Sequence, residues 1–195
     1  MDDCVVIDIE TSGVNSSTSQ IIGISAVLLK NGIVAVGDVC NTADTLLQKQ
    51  KRNLQYYNFI EVFGVQDCKA NQIITKAILL RDRFRASGLK STITPHATYS
   101  VPQKLMQKIL KNFDNQDDLL TIHIQESTHE NELFKNKRGD FFQWLRSMNA
   151  SPSIWEERHT ATDILKEVQG KRVLLVHNTF TEFSQIFDHY YCTCP

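Results

Sequence analysis

The architecture of this chain is indicated most clearly by the stretch Leu119-Leu120-Thr121-Ile122-His123-Ile124-Gln125-Glu126. The run is apolar and rich in β-formers, and polar residues flank it on both sides, which predicts a buried strand. Residues three apart in a regular strand point to opposite faces of the sheet. His123 and Glu126 can therefore act together only if the strand ends near Ile124 and Glu126 turns over its carboxyl end. The alternative is a histidine at the edge of the core followed by a helix-starting glutamate, because motifs this short recur by chance.

Two further β-rich runs also end in a histidine. Residues 91–96 end at His96, and residues 173–177 end at His177. The carboxyl ends of successive parallel strands meet at one rim, where the catalytic groups of α/β barrels lie. Convergence of three histidines at that rim is a more specific signal than any one of them. Three unrelated histidines at the edge of the core remain the alternative.

Strands alternate with helices along the whole chain. This pattern predicts parallel βαβ units with right-handed crossovers, and therefore an α/β fold with a parallel sheet and helices outside. We interpret residues 1–195 as one domain, in which residues 1–15 are a poorly assigned N-terminal segment. The other strands are predicted at 33–39, 55–64 and 190–194, and the helices at 16–30, 71–85, 102–110, 130–148 with an interruption at 135–139, 161–168 and 181–188.

The composition is that of an ordinary globular protein. The 195 residues are 42% hydrophobic and 22% charged, and the net charge is −1, so no field that would attract nucleic acid is predicted. We find no signal peptide and no apolar run of membrane-spanning length, which predicts a cytoplasmic protein that does not contact a membrane. The five cysteines form no Cys-x-x-Cys pair and are interpreted as reduced thiols.

Three segments resemble one known family. The segment Thr94-Pro95-His96-Ala97-Thr98-Tyr99-Ser100 resembles the Pro-His-Ala-Pro-Tyr-Ser/Thr signature of the amidohydrolase superfamily, in its cytosine-deaminase-like, S-adenosylhomocysteine-deaminase-like and chlorohydrolase-like branch. The segment Ile122-His123-Ile124-Gln125-Glu126-Ser127-Thr128 resembles the His-x-x-Glu-Thr stretch of that branch. The segment Leu175-Val176-His177 resembles the Leu-x-His of its next strand. The similarity keeps its order from about residue 19 to residue 195, and Thr98 stands where proline is usual.

The resemblance implies a fold, a reaction and roles for four residues. The fold is a (β/α)8 TIM barrel, of which this chain would cover roughly strands two to seven. The reaction is hydrolysis of a non-peptide C–N bond, the deamination of a heterocycle, in a small-molecule substrate and with zinc or iron. His123 would ligate the metal, and His177 would ligate it or hydrogen-bond the attacking water. Glu126 would pass a proton from that water to the leaving nitrogen, and His96 would face the substrate.

The sequence also departs from the family pattern. The His-x-His of the first barrel strand does not occur in the chain, and no segment corresponds to the aspartate of strand eight. His123 and His177 alone cannot close a site of three or four metal ligands. We therefore expect an incomplete chain that binds metal weakly and turns over poorly or not at all. In an open six-stranded sheet the strands at 33–39 and 190–194 would be unpaired edges, which favours self-association or completion by another chain.

A second resemblance points to a different class of enzyme. The segment Asp8-Ile9-Glu10-Thr11-Ser12-Gly13 resembles the first motif of DEDD-type 3′–5′ exonucleases, in which an aspartate and a glutamate hold magnesium. His177-Asn178 with Phe187-Asp188, and the segment 159–163, resemble later motifs of that family, but their spacing and order are wrong. The alternatives are thus an exonuclease that uses Asp8 and Glu10, and a non-enzymatic remnant or assembly partner.

Overall fold

A computed structural model describes residues 32–181 and 189–192, which form an α/β fold. The strands are β1 (Ala35–Cys40), β2 (Gln55–Val62), β3 (Lys90–Pro95), β4 (Leu120–Ile124), β5 (Val173–His177) and β6 (Tyr190–Cys192). The α-helices are α1 (Leu46–Lys49), α2 (Ala70–Ala86), α3 (Gln103–Lys111), α4 (Thr128–Asn131), α5 (Asp140–Ser147) and α6 (Ile164–Glu167). Short 3₁₀ helices span Asp67–Lys69, Pro152–Ile154 and Ala161–Asp163, and a π-helix spans Glu132–Asn136.

All six predicted strands are present, and their boundaries differ from the predicted ones by a few residues. The predicted helices at 71–85 and 102–110 correspond to α2 and α3. The predicted helix at 16–30, most of the one at 181–188, and Asp8 and Glu10 lie outside the described residues. No helix in the described part of the chain combines the length and the hydropathy that crossing a bilayer requires.

The strands form two sheets of three, in the orders β1-β2-β3 and β4-β5-β6. β1 pairs in parallel with β2, and β5 pairs in parallel with both β4 and β6. The expectation of one continuous six-stranded sheet was therefore wrong. The break falls beside Thr94, whose hydroxyl accepts the amide of Thr121 at 2.7 Å and donates to its carbonyl at 2.6 Å. A side chain thus bonds the Thr121 peptide groups, and the backbone pairing is reduced to one isolated parallel bridge between Ala97 and His123.

The described chain divides into two compact units. The first comprises residues 32–61 with 77–92, and its core includes Phe59, Ile60 and Phe84. Within this unit the buried Lys49 ammonium pairs with the Asp38 carboxylate and donates to Asn58 Oδ1 at 2.6 Å. Burying a lysine is favourable only when its charge is compensated in this way.

The second unit comprises residues 62–76 with 93–181 and 189–192. Its core is built on β4 and β5, whose apolar side chains are buried on both faces, as the continuous apolar runs predict. The amphipathic helix α3 contributes buried residues on one face, which are Leu105, Met106 and Ile109.

The predicted interruption of the long helix after β4 is also present. The π-helix ends at Lys137, which has a left-handed backbone with φ 52°. Its ammonium donates to the carbonyl of Phe134 in this helix and to the carbonyls of Trp155 and Arg158 in a later segment. Gly139 has φ 87°, a conformation that favours glycine, and it precedes α5.

Candidate active site

The site begins where β4 leaves its sheet. β4 ends at Ile124, as predicted, and the next residue, Gln125, has φ 51°. This left-handed turn carries Glu126 over the strand end, where its Oε1 lies 3.8 Å from Nε2 of His177. The Glu126 side chain is 44% exposed, so its carboxylate can exchange protons with solvent or with a bound molecule.

A second backbone distortion brings His177 to the same place. His123 is in register with Val176, and His177 with Ile124, so a regular β5 would point the two imidazoles to opposite faces. Instead His177 has φ 74° and Asn178 has φ 57°, which breaks the alternation at the end of β5. The ring centroids of His123 and His177 lie 5.1 Å apart.

Hydrogen bonds between the two strand ends hold these turns. The Asn178 amide donates to the Ile124 carbonyl at 3.1 Å, and the Phe180 amide donates to the Gln125 carbonyl at 3.1 Å. The Thr181 hydroxyl donates to the Gln125 side-chain oxygen at 2.5 Å. Left-handed non-glycine residues cost about 1–3 kcal/mol each and persist where surrounding contacts enforce them, which is common at functional sites.

His96 completes the group of three histidines. Its Nδ1 shares a 2.8 Å hydrogen bond with the Ser100 hydroxyl, which also accepts the Ala97 amide at 3.1 Å. The His96 ring centroid lies 5.1 Å from that of His123, and a nitrogen of each ring lies within 4.8 Å of the other. The structure therefore brings together His96, His123, His177 and Glu126, the four residues that the sequence suggested.

Aromatic side chains surround His96, and the sequence did not single them out. Phe63 directly follows β2 and packs edge-on against His96 with ring centroids 6.1 Å apart, and its side chain is half-exposed. Tyr99 also packs edge-on against His96, with ring centroids 6.0 Å apart, and its ring centroid lies 4.6 Å from that of Phe141. The position of Phe63 at the carboxyl end of a predicted strand was the signal that could have found it.

The donor set suits a transition metal. Nε2 of His177 is buried and has no hydrogen-bond partner among the described residues, although a buried ring nitrogen normally has one. Imidazole nitrogens beside a carboxylate are ligands that zinc and iron accept. The imidazoles of His123 and His177 therefore have the ligand chemistry that the family resemblance implies.

Known deaminases resemble this chain in sequence or in fold. No protein-family model matches the chain. The chain is 25% identical over 181 residues to the adenosine deaminase of Helicobacter pylori, a match that covers 86% of this chain and 43% of that protein. Among solved structures, the aminofutalosine deaminase of Helicobacter pylori matches with a TM-score of 0.74 and 24% identity over 91% of this chain and 47% of that chain. The predicted resemblance to the amidohydrolase superfamily is confirmed.

A deaminase that was solved with bound zinc has a similar fold. The adenosine deaminase from Xanthomonas campestris, solved with bound zinc, matches with a TM-score of 0.60 and 16% identity, over 90% of this chain and 38% of that chain. The chain spans less than half the length of each of these three relatives. The two solved structures resemble this chain in fold. The adenosine deaminase of Helicobacter pylori resembles it in sequence.

Other groups suggested by the sequence have structural explanations. In the segment that resembles an exonuclease motif, Asp163 Oδ2 accepts the amides of His159 at 2.7 Å and Thr160 at 2.9 Å and closes a capping box. Cys40, Cys68 and Cys192 are free cysteines, in agreement with the predicted reduced thiols. Burial raises the pKa of the Cys40 thiol to about 12, so this thiol is a poor nucleophile at neutral pH.

Proposed function

We propose that this chain supplies part of the active site of a metal-dependent amidohydrolase that deaminates a small heterocyclic molecule. The observation that supports it is the meeting of three imidazoles and one carboxylate at the ends of neighbouring strands. The fold and sequence likeness to deaminases supports the same class of reaction. In this proposal the described strands are part of a (β/α)8 barrel, and their carboxyl ends form the rim that carries its catalytic groups.

Each residue of the cluster has a role in the proposal. His123 and His177 would hold zinc or iron, which would supply Lewis acidity that lowers the pKa of the attacking water. Glu126 takes a proton from the attacking water and delivers it to the leaving nitrogen, a role that its exposure and its turn over the strand end permit. Ser100 holds the ring of His96, so that this side chain faces the heterocycle.

The proposal includes association with a further donor of ligands. A catalytic zinc takes three protein ligands, more than His123 and His177 provide. Among the described strands β6 has a neighbour on one side, and Tyr190 on it is 59% exposed. Self-association or completion by another chain would cover such an edge. We expect the isolated chain to bind zinc weakly and to turn over slowly.

Zinc titration and an ammonia-release assay test the proposal on the full chain, with adenosine as the first substrate because a relative is named for it. His123→Ala and His177→Ala should each weaken zinc binding by at least the roughly 10- to 100-fold that loss of a ligand's hydrogen-bond partner causes. Glu126→Gln should bind zinc as the unmodified chain does and lower kcat about 100-fold or more. His159→Ala, at an exposed position outside the cluster, is the control and should change neither.

Three results would contradict the proposal. If the unmodified chain and both histidine variants bind zinc with the same affinity, His123 and His177 are not metal ligands. If ammonia is released from adenosine or guanine without zinc, the reaction does not depend on the proposed metal. If Glu126→Gln releases ammonia as fast as the unmodified chain, Glu126 does not transfer the proton.

A further inference from the structure

The carboxylate of Glu130 is fully buried beside the proposed site. Its Oε1 accepts the amide of Glu126 at 2.7 Å. Its Oε2 accepts the amide of Gln125 at 3.1 Å and the hydroxyl of Thr98 at 2.8 Å. Burial raises the pKa of this carboxyl, while the hydrogen bonds from Thr98 and from the amides of residues 125 to 127 oppose that rise. Both oxygens are thus used to hold the turn that carries Glu126.

Local helix capping accounts for the hydrogen bond from the Ser127 amide only. Ser127 precedes α4 and Glu130 is three residues later, a spacing typical of a capping box. In a capping box the serine hydroxyl accepts a backbone amide, but the Ser127 hydroxyl makes no capping hydrogen bond and is buried without a partner among the described residues. Glu130 instead binds amides that precede the helix, together with a hydroxyl 32 residues away in the chain.

The turn itself is shaped to receive this carboxylate. The left-handed backbone of Gln125 directs successive amides to one side, and such an arrangement forms a concave site for an anion. Without the carboxylate, the amides of Gln125 and Glu126 would lose their acceptor inside the protein.

Thr98 connects the same carboxylate to the loop that carries His96. The buried guanidinium of Arg158 donates to the carbonyls of Thr98 at 2.7 Å and Val101 at 3.2 Å, and it pairs with Glu167 at 2.8 Å. The loop is therefore fixed on one side by Arg158 and on the other by Glu130. Buried networks in which every group is satisfied are rigid.

We propose that Glu130 is a positioning residue that fixes the Glu126 turn against the His96 loop and so sets the distance between the Glu126 carboxylate and His177. The proposal rests on the proposed function for the chemistry that this distance serves. Glu130 itself does not touch the cluster of histidines in the described structure; it acts through the backbone of Glu126 and through Thr98.

Glu130→Gln tests the proposal because a glutamine has one acceptor oxygen where the glutamate carboxylate has two. The readouts are amide hydrogen exchange and the ring resonances of His177 in histidine-labelled full chain at one fixed pH without metal. We expect exchange at the Glu126 amide to accelerate about ten-fold, as for loss of a hydrogen bond to a charged group, while exchange at Ile122 in β4 stays unchanged. The His177 resonances should shift in the direction produced by Glu126→Gln.

Two matched variants separate positioning from general stability. Thr98→Val removes one donor and leaves the Glu126 amide bonded, so it should shift the His177 resonances less than Glu130→Gln does. Glu132→Gln changes a half-exposed carboxylate two residues away, which pairs with Arg138 at 2.9 Å, and should leave them unchanged. Where zinc-dependent turnover is measurable, Glu130→Gln should lower kcat about 10- to 100-fold with a much smaller change in KM.

Each outcome decides the matter. A folded Glu130→Gln chain with unchanged His177 resonances overturns the proposal, even if its stability falls. If that variant does not fold, the unmodified chain decides: a Glu126 amide that exchanges as fast as an unstructured peptide overturns the proposal, and a protected one supports it. Equal zinc affinity in the unmodified chain, His123→Ala and His177→Ala contradicts the proposed function and leaves the resonance and exchange results as an independent test of Glu130.

Discussion

At the scale of single residues, the site depends on backbone conformations that cannot be predicted from the types of side chain. His123, Glu126 and His177 could be selected from the sequence because each lies at the end of a β-rich run. The sequence also required β4 to end near Ile124, which it does. The left-handed turn at His177 was not predicted, because a histidine adopts it only when contacts from other segments compensate its cost.

Asp163 gives a prediction about pH dependence at this scale. Burial alone would raise the pKa of Asp163, but hydrogen bonds from Lys166 and from the amides of His159 and Thr160 outweigh it and lower the pKa from 3.8 to about 2. Because the folded pKa lies below the unfolded value, the ionised carboxylate stabilises the fold above pH 3.8, and this contribution is lost as the pH falls from 3.8 towards 2.

Asp163→Asn should therefore be less stable than the unmodified chain by about 0.5–2 kcal/mol near neutral pH, the usual cost of losing a cap. The difference should shrink as the pH approaches 2. Urea unfolding of both chains across this range measures it, with Glu157→Gln, an exposed neighbouring carboxylate, as the control. A difference that is the same at both ends of the range would mean that the ionised carboxylate is not the stabilising species.

At the scale of elements, the positions of the strands could be predicted and their grouping could not. Six β-rich runs separated by helices or long connections were sufficient to place β1 to β6. The division into two sheets depends on the Thr94 hydroxyl, which bonds both peptide groups of Thr121. Threonine is an ordinary strand residue, so its presence does not indicate whether its hydroxyl will bond a neighbouring backbone.

Thr94→Val should cost about 2–4 kcal/mol of unfolding free energy, because it leaves a buried amide and a buried carbonyl of Thr121 without this partner. Thr94→Ser keeps the hydroxyl and should cost only about 1 kcal/mol for the lost methyl group. Thr121→Val removes a hydroxyl that shares only a 3.1 Å bond with Thr94 and should cost less than Thr94→Val. Urea unfolding ranks the three variants, and equal costs for Thr94→Val and Thr94→Ser would show that the hydroxyl contributes little.

At the scale of the whole molecule, charge and ligand type distinguish the two enzyme classes that the sequence suggested. The net charge of −1 provides no general attraction for a polyanion, whereas nucleic-acid binding depends strongly on neutralising phosphates. The histidine cluster favours zinc or iron, since magnesium prefers oxygen ligands and keeps several waters. The two classes therefore differ in the metal that they take and in their substrate, which is a small molecule for one and a nucleic acid for the other.

The last prediction follows from that difference in metal preference. Zinc should raise the free energy of unfolding of the chain by about 2.7 kcal/mol when the free zinc concentration is a hundred times its Kd, and a thermal melt measures this. Magnesium at the same concentration should not raise it. The increase should disappear in the double variant His123→Ala/His177→Ala, because the two imidazoles are the proposed ligands. With magnesium present, labelled single-stranded DNA should remain intact in the unmodified chain and in Asp8→Asn alike. If the DNA is degraded in the presence of magnesium and Asp8→Asn abolishes the degradation, the exonuclease alternative is favoured. The proposed deaminase site does not include the Asp8 carboxylate.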